Sequence, residues 1–304
     1  MRARRIAQVA GFLALNPYFQ YFGTRVIYQG GAKYVCAPGF NCYACPLAAF
    51  SCPIGSLQHA FTLLSPKVRE FKLALGSLLY VLASVGLVGA IAGRIPCGWI
   101  CPFGFLQELL YRIPLPKLRL PRRINLGRYF FLIVVAALVP FITAQSWFSR
   151  LCPAGALEGG LFLKAVPPEM PLPPEGWFFW LKMAILASFL LWMMISKRPF
   201  CRAVCPLGAM WGLMNRVSLY RMAVDDEKCT GCGKCREVCP VDIDISEDPN
   251  SPDCIRCLAC RPACQYGAIS SGFRLPAEGL RPGRKVEGHG AAEAPMRTPP
   301  RPTG

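Results

Sequence analysis

Histidine and acidic side chains are scarce in this chain of 304 residues. The first scarcity limits the cofactors that the chain could hold, and the second leaves it with a large positive charge. The only histidines are His59 and His289, which excludes a haem held between helices by paired histidines of this chain alone. Lysine and arginine number 34 against 17 aspartates and glutamates, a formal net charge of +17. No nucleophile–base pair, phosphate loop or flavin motif is found, so substrate chemistry is expected in a partner.

The excess positive charge borders long uncharged stretches, which favours a membrane rather than nucleic acid as its partner. Four stretches are predicted as transmembrane helices: residues 6–22, 73–93, 129–147 and 177–196. About 20 helical residues cross a hydrocarbon core of about 30 Å. The first stretch contains Gln8, Asn16, Pro17 and Gln20, so an interfacial helix is the alternative there.

Basic residues also predict the orientation. They precede the first stretch and fill the segments after the second and fourth, whereas the segment after the third carries several glutamates. Because basic residues gather at the cytoplasmic ends of spans, we expect a multi-pass protein of the inner (cytoplasmic) membrane with both termini in the cytoplasm. Residues 25–72 are basic yet predicted outside, in a loop long enough to weaken the rule.

Composition divides the chain into three parts. Residues 1–217 are predicted as the membrane domain, and residues 218–272 as a polar, cysteine-dense module. Residues 273–304 are rich in proline, glycine and arginine and poor in large apolar side chains, which predicts a disordered basic tail. Its charge would attract anionic lipid; a tail that binds a specific partner is the alternative.

A short unit, Cys-Pro-x-Gly-x-apolar, recurs four times in the membrane half. The copies begin at Cys52, Cys101, Cys152 and Cys205, which are 49, 51 and 53 residues apart. Proline is tolerated at the first position of a helix, and a thiolate just before it would lie at the positive end of the helix dipole. With one predicted span per interval, the copies should alternate between the two membrane surfaces and provide cofactor sites at both.

The strongest motif is a pair of four-cysteine runs in the C-terminal module. Each run has the spacing Cys-x2-Cys-x2-Cys-x3-Cys, in which the fourth cysteine ligates the other cluster of a two-cluster ferredoxin. We therefore predict one 4Fe-4S cluster on Cys229, Cys232, Cys235 and Cys264, and another on Cys254, Cys257, Cys260 and Cys239. Zinc is the alternative, but zinc sites use one or two Cys-x2-Cys pairs.

Further cysteines predict additional clusters in the membrane half. A third 4Fe-4S cluster is expected on Cys97, Cys101, Cys201 and Cys205, which form two Cys-x3-Cys-Pro motifs; redox-active dithiols or buried packing cysteines are the alternatives. A fourth is expected on Cys42, Cys45, Cys52 and Cys152, with Cys36 as the alternative ligand. Disulfides are the competing interpretation for this last group, because an extracytoplasmic face can oxidise thiols.

The motif from Cys97 to Pro102, the second one from Cys201 to Pro206 and the double run after them resemble the NapH-type membrane-bound ferredoxins. The resemblance implies a four-span inner-membrane subunit that passes electrons from quinol toward periplasmic reductases. It also implies that Cys97, Cys101, Cys201 and Cys205 match the paired cysteines of that family. The group from Cys36 to Cys52 with Cys152 departs from the family pattern, which leaves the partner open.

Together these observations predict a mainly α protein. A four-transmembrane-helix domain with an internal repeat would precede a small α+β two-cluster ferredoxin domain. The expected function is electron transfer through several 4Fe-4S clusters, between the quinone pool or a cytoplasmic redox partner and a partner oxidoreductase. Such a chain would be an electron-transfer subunit rather than a self-contained enzyme. An assembly or maturation factor for a metalloenzyme is the first alternative, and a redox sensor the second.

Overall fold

The computed structural model describes residues 2–169 and 176–274, which are mainly helical. The tail predicted over residues 273–304 lies outside the described residues beyond Arg274. The first half contains α1 (Arg2–Leu15), α2 (Tyr21–Thr24), a 3-10 turn (Gly31–Tyr34), α3 (Pro53–Leu64), α4 (Phe71–Ala92), α5 (Ile95–Trp99) and α6 (Pro102–Leu110).

The second half of the membrane region has one long composite helix, one short composite helix and one regular long helix. The long composite comprises a 3-10 stretch (Arg122–Leu126), α7 (Gly127–Phe130), a π-helical stretch (Phe131–Leu138) and α8 (Val139–Thr143). After α9 (Trp147–Leu151), the short composite comprises α10 (Pro153–Gly155), a π-helical stretch (Ala156–Leu161) and α11 (Phe162–Ala165). Then come α12 (Trp177–Ile195), α13 (Pro199–Ala203) and α14 (Pro206–Met214).

Three helices in the described part of the chain are long and apolar enough to cross a membrane. They are Phe71–Ala92, Arg122–Thr143 and Trp177–Ile195, with mean hydropathies of 2.1, 2.0 and 2.0. Their positions agree with the second, third and fourth predicted spans, although the middle helix begins seven residues before the predicted start at residue 129. This chain is therefore a membrane protein with at least three candidate spans.

The first predicted span, residues 6–22, differs from the structure. Helix α1 has 14 residues, about 21 Å at 1.5 Å per residue, and it ends where Asn16 precedes Pro17, a position that disfavours helix. The side chain of Asn16 donates to the carbonyl of Phe12 at 3.1 Å and to the side chain of Asn41 at 3.2 Å. A fourth transmembrane helix thus stays a prediction.

Each copy of the Cys-Pro-x-Gly unit begins a short helix, as the repeat predicts. The four helix starts are Pro53, Pro102, Pro153 and Pro206, each directly after its cysteine. The sulfurs of Cys101 and Cys205 accept hydrogen bonds at 3.4 Å from the backbone N–H groups three residues later. These cysteines therefore cap their own helices with sulfur.

The loop before α3 and the segments around the other three helix starts meet in one aromatic core. Phe40, Phe103 and Phe200 are mutually in contact, with ring centroids 4.9–6.1 Å apart, and Phe148 packs on Phe40 at 6.4 Å. All four are buried. The loop before α3 folds back to reach this core, which the spacing of the copies cannot reveal.

The C-terminal module pairs β1 (Tyr220–Val224) with β2 (Ile269–Phe273) antiparallel and carries α15 (Lys234–Glu237) and α16 (Cys260–Ala263). It docks on the membrane half through buried hydrogen bonds. The side-chain amide of Asn215 donates to the carbonyls of Ser251 and Cys254 at 2.8 and 2.7 Å. Trp99 donates to the carbonyl of Arg256 at 3.0 Å. These bonds hold the second cysteine run against the end of α4.

Candidate metal centres

The seventeen cysteines all lie in the described part of the chain as free thiols, and they fall into four groups. We name each group after one member. The Cys229 site contains Cys229, Cys232, Cys235 and Cys264; the Cys254 site contains Cys254, Cys257, Cys260 and Cys239; the Cys97 site contains Cys97, Cys101, Cys201 and Cys205; the Cys52 site contains Cys36, Cys42, Cys45, Cys52 and Cys152.

The Cys229 site brings its four cysteines to the lining of one cavity. Three come from the first run and Cys264 from the second, which is the exchange that the spacing predicts. Gly231 and Gly233 have φ of +68° and +73°, a left-handed conformation that glycine adopts without strain and that lets the loop curl around the cavity. Cys232 is exposed, so this site is the one nearest to solvent in the module.

The Cys254 site is more buried. The thiols of Cys257, Cys260 and Cys239 lie close enough to Cys254 to raise its pKa, which burial, the larger cause, lifts to about 12. The N–H of Arg256 donates to the sulfur of Cys254 at 3.4 Å. A thiol with such a pKa stays protonated at neutral pH unless a metal displaces the proton. The group therefore suits a cluster that supplies positive charge to four thiolates.

The Cys97 site joins segments about 100 residues apart. Cys97 and Cys101 come from α5 and the start of α6, and Cys201 and Cys205 come from α13 and the start of α14; all four are buried. The amide of Gln107 donates to the sulfur of Cys201 at 3.0 Å and accepts from the N–H of Phe200 at 3.2 Å. The thiols of the two arms lie within electrostatic range of one another, which brings together the four cysteines proposed to hold this cluster.

Two arginines cross between the arms of the Cys97 site. Arg94, three residues before Cys97, donates to the carbonyl of Cys201 at 3.4 Å, and Arg198, three residues before Cys201, donates to the carbonyl of Cys97 at 2.7 Å. Both side chains are 1% exposed. Buried positive charge is costly unless a negative group is near. The arrangement therefore fits an anionic cluster between the two arms.

The Cys52 site is only partly assembled around one space. Cys42, Cys52 and Cys152 line a cavity of about 600 Å3. Cys45 lies on the other side of the same loop, where the backbone N–H groups of Leu47 and Ala48 hydrogen-bond its sulfur. The sulfurs of Cys42, Cys52 and Cys152 also receive backbone N–H groups.

Cys36, by contrast, lies against hydroxyl groups. Its sulfur hydrogen-bonds the side chains of Ser56, Tyr80 and Ser84 and lies within electrostatic range of the thiol of Cys52. Its own N–H donates at 3.1 Å to the hydroxyl of Tyr80, the tenth residue of the 22-residue α4. The Cys52 site therefore lies beside the middle of a helix long enough to cross a membrane, away from either end.

The sequence analysis assigned no role to the seventh residue of each repeat copy. It is Gln58, Gln107, Glu158 and Trp211 in the four copies, and each reaches a different segment. Gln107 bonds Cys201, Gln58 donates to the hydroxyl of Ser149 at 2.9 Å, and Glu158 accepts from the N–H of Cys42 at 2.7 Å. Glutamine at this position in two copies was the available signal.

The geometry also bears on the metal that these groups would hold. Among the residues that the structure describes, no three histidine, cysteine, aspartate or glutamate side chains converge tightly enough to hold a single ion. Zinc requires its sulfur ligands about 2.3 Å from one point. The described residues thus show no preformed single-ion site, and the metal is indicated instead by the spacing of the cysteines.

Comparison with known proteins agrees with this chemistry. One family model, described as a 4Fe-4S binding domain, matches residues 73–121, and another, described as the LdpA Fe-S cluster-binding domain, matches residues 196–251. The first covers the Cys97–Cys101 pair and the second the Cys201–Cys205 pair with the first ferredoxin run. No solved structure matches the chain.

Several curated proteins are similar to this chain. An uncharacterized protein of Methanocaldococcus jannaschii is 32% identical over 59% of this chain and 65% of its own length. The methylamine utilization ferredoxin-type protein MauN of Methylorubrum extorquens is 32% identical over 55% of this chain and 58% of its own length. The ferredoxin-type protein NapH of Haemophilus influenzae is 26% identical over 60% of this chain and 63% of its own length. The matched part thus spans less than two thirds of each of these relatives.

Proposed function

We propose that this chain, a membrane protein of the NapH-type 4Fe-4S ferredoxin family, carries single electrons through four 4Fe-4S clusters between membrane quinone and partner redox subunits. The observation that carries the proposal is that the buried thiols of Cys97, Cys101, Cys201 and Cys205 lie within electrostatic range of one another. We assign one cluster to each of the four sites, with Cys42, Cys45, Cys52 and Cys152 as ligands in the Cys52 site. Each cluster supplies a one-electron carrier when bound.

The membrane sites are close enough to form a continuous path. The carbonyl of Phe40 lies 3.9 Å from the sulfur of Cys101, and Cys42 follows Phe40 by two residues, a span of at most about 7 Å. On the other side, Gly98 packs against the Cα and Cβ of Cys257. Electrons would therefore pass from the Cys52 site through the Cys97 site to the Cys254 site, or the reverse, without a long gap.

We place the quinone in a cavity of about 480 Å3 between α1, α6 and the composite helix α10–α11. Its lining is almost wholly apolar, with Phe103 from the side of the Cys97 site and Cys45 from the Cys52 site. Glu158 is its one carboxyl group. Oxidation of a quinol releases two electrons and two protons. The clusters would take the electrons one at a time, Glu158 would accept one proton, and the second proton would pass to solvent water.

We also propose that the C-terminal module faces the cytoplasm and that the membrane is the inner membrane. Basic residues at the membrane ends of this side bind the module: Arg122 pairs with Glu247 and Arg128 with Asp253, both at 2.6 Å. Because such residues mark cytoplasmic ends, the module would meet cytoplasmic redox partners there.

The test uses the anaerobically purified full chain in liposomes that contain a reduced quinol. We expect the quinol to reduce the membrane clusters, seen as the appearance of EPR signals. Glu158→Gln should slow that reduction at least tenfold, since one proton acceptor is lost, while reduction by dithionite stays unchanged. The matched control is Gln58→Glu, which changes the same repeat position in another copy. Clusters that dithionite reduces but quinol leaves oxidised would contradict the quinone assignment.

A further inference from the structure

We propose that the Cys97 site is the electron sink of the membrane pair, because Arg94 and Gln107 hold its cluster at a higher reduction potential than that of the Cys52 site. This inference rests on the proposed function, since it needs a cluster in each site. The electron step is simple: one cluster loses one electron, its neighbour gains it, and no proton moves. The two sites differ in the buried charge and the hydrogen-bond donors that surround the cluster.

Reduction makes a four-thiolate 4Fe-4S cluster more negative by one charge. A fixed positive charge nearby stabilises the reduced form more than the oxidised form, and it does so most strongly where burial excludes water. A hydrogen bond to a ligand sulfur acts in the same direction, and both are recognised means of setting the potential of such clusters. The site with more buried positive charge and N–H···S bonds from side chains therefore holds the electron more firmly.

The two arginines of the Cys97 site are not equivalent. The charge of Arg198 is shared with Glu108, whose carboxylate lies 2.5 Å away. Arg94 instead donates to the carbonyls of Pro252 and Cys201. In the described residues no carboxylate lies within ion-pair distance of Arg94. The carboxylate of Asp253 acts on Arg94 from beyond ion-pair distance but is itself paired with Arg128 at 2.6 Å, so much of the Arg94 charge is left for the cluster to balance.

Gln107 adds a directed hydrogen bond. Its amide nitrogen points at the sulfur of Cys201, and its amide oxygen is held by the N–H of Phe200. Because both ends are fixed, the amide cannot turn its oxygen toward the sulfur without breaking two bonds. Gln58 occupies the same repeat position beside the Cys52 site but donates to the hydroxyl of Ser149 instead. Gln58 is therefore the matched control for Gln107.

Among the described residues, no fully buried arginine lies beside the Cys52 site. Glu158 accepts from the N–H of Cys42, so this side chain brings no hydrogen-bond donor to a sulfur there. The basic residues near the site are Lys33, which donates to the carbonyl of Tyr43 in an exposed contact, and Arg150, Lys164 and Lys182, which line the cavity of Cys42, Cys52 and Cys152. All four are exposed or half-exposed, so their charge meets solvent. Solvent screens that charge far more than it screens Arg94. Electrons that enter the pair should therefore settle at the Cys97 site.

The test is a potentiometric EPR titration of the purified full chain with its clusters loaded. Cys101→Ala and Cys52→Ala identify which signal belongs to which site. We expect the Cys97-site midpoint to lie above that of the Cys52 site. Arg94→Gln should lower the midpoint potential of the Cys97 site by at least about 59 mV, which corresponds to a tenfold smaller equilibrium constant for one-electron reduction. Gln107→Leu should lower the same midpoint potential by a smaller amount. Arg94→Lys keeps the positive charge and should therefore hold the midpoint near the wild-type value. Gln58→Leu should leave the midpoint of the Cys97 site unchanged.

Two results would overturn the inference: a Cys97-site midpoint at or below that of the Cys52 site, or unchanged midpoints in both Arg94→Gln and Gln107→Leu. If Arg94→Gln cannot retain its cluster, Gln107→Leu decides alone. Iron is counted first on the same samples. A wild-type chain with only about eight irons would contradict the proposed function itself, and so distinguishes that failure from a failure of the charge argument.

Discussion

The Cys97 and Cys52 sites are built from copies of one repeat, yet their surroundings differ in charge. Each site joins two helix starts, and in each the seventh residue of one copy ties down the segment before the partner cysteine: Gln107 with Phe200, and Gln58 with Ser149. Around this common frame the Cys97 site has buried Arg94 and Arg198, whereas the Cys52 site has Glu158. A duplicated scaffold can thus supply two electron carriers with different properties.

The largest effect should come from ligands that distinguish the two sites. Cys45→Ala is expected to abolish the cluster of the Cys52 site, because Cys45 is its assigned fourth ligand and the backbone N–H groups of Leu47 and Ala48 hold its sulfur in place. Cys36→Ala should keep that cluster, since its sulfur meets hydroxyl groups. Iron content and EPR of the two variants provide the measurement. Loss of about four irons in Cys36→Ala but not in Cys45→Ala would reverse the assignment.

The next largest effect should come from the buried salt-bridge network around Glu108, which lies beside the Cys97 site. Glu108 pairs with Arg4, Arg5 and Arg198, two of which are buried. Glu108→Gln leaves their charges without a partner, so we expect a loss of about 3–5 kcal/mol in stability. The thermal midpoint of the detergent-solubilised protein measures it.

Glu247→Gln is the control for that variant. It breaks the pair with Arg122, in which both side chains are about half exposed, and such surface pairs contribute only about 0–1 kcal/mol. Equal thermal midpoints for the two variants would mean that the buried arginines are balanced by another group, such as the cluster itself.

A smaller effect should come from the contact between the Cys97 site and the C-terminal module. Asn215→Ala removes two donated bonds and the acceptor for the N–H of Arg94, which costs about 1–3 kcal/mol for each buried group left unpaired. We expect slower electron transfer between the Cys97 and Cys254 sites, measured by rapid-freeze EPR. Transfer between the two membrane sites should be unchanged, and a slowing there would contradict the docking role.

Local patterns predicted the parts of the site that depend on neighbours in sequence. The two ferredoxin runs, the helix starts after each cysteine and the three long helices all follow from spacing, proline placement and length. The grouping of Cys97 and Cys101 with Cys201 and Cys205 was predicted from their matching Cys-x3-Cys-Pro spacing. These features need no knowledge of how distant segments pack.

Distant packing accounts for what the sequence could not reveal. Nothing in the spacing shows that the loop containing Phe40 folds back onto Cys101. The first span was drawn through Pro17 because its neighbours are apolar, but the side chain of Asn16 bonds the helix end there. The roles of Gln107 and Glu158 depend on segments about 100 residues away.

Counting iron and acid-labile sulfide in the anaerobically purified full chain tests the central claim most directly. The account predicts about sixteen irons per chain, falling to about twelve in Cys101→Ala, with the EPR signals of the C-terminal module retained. A wild-type content of about eight irons, unchanged by Cys101→Ala, would show that the membrane half holds no cluster and would contradict the account.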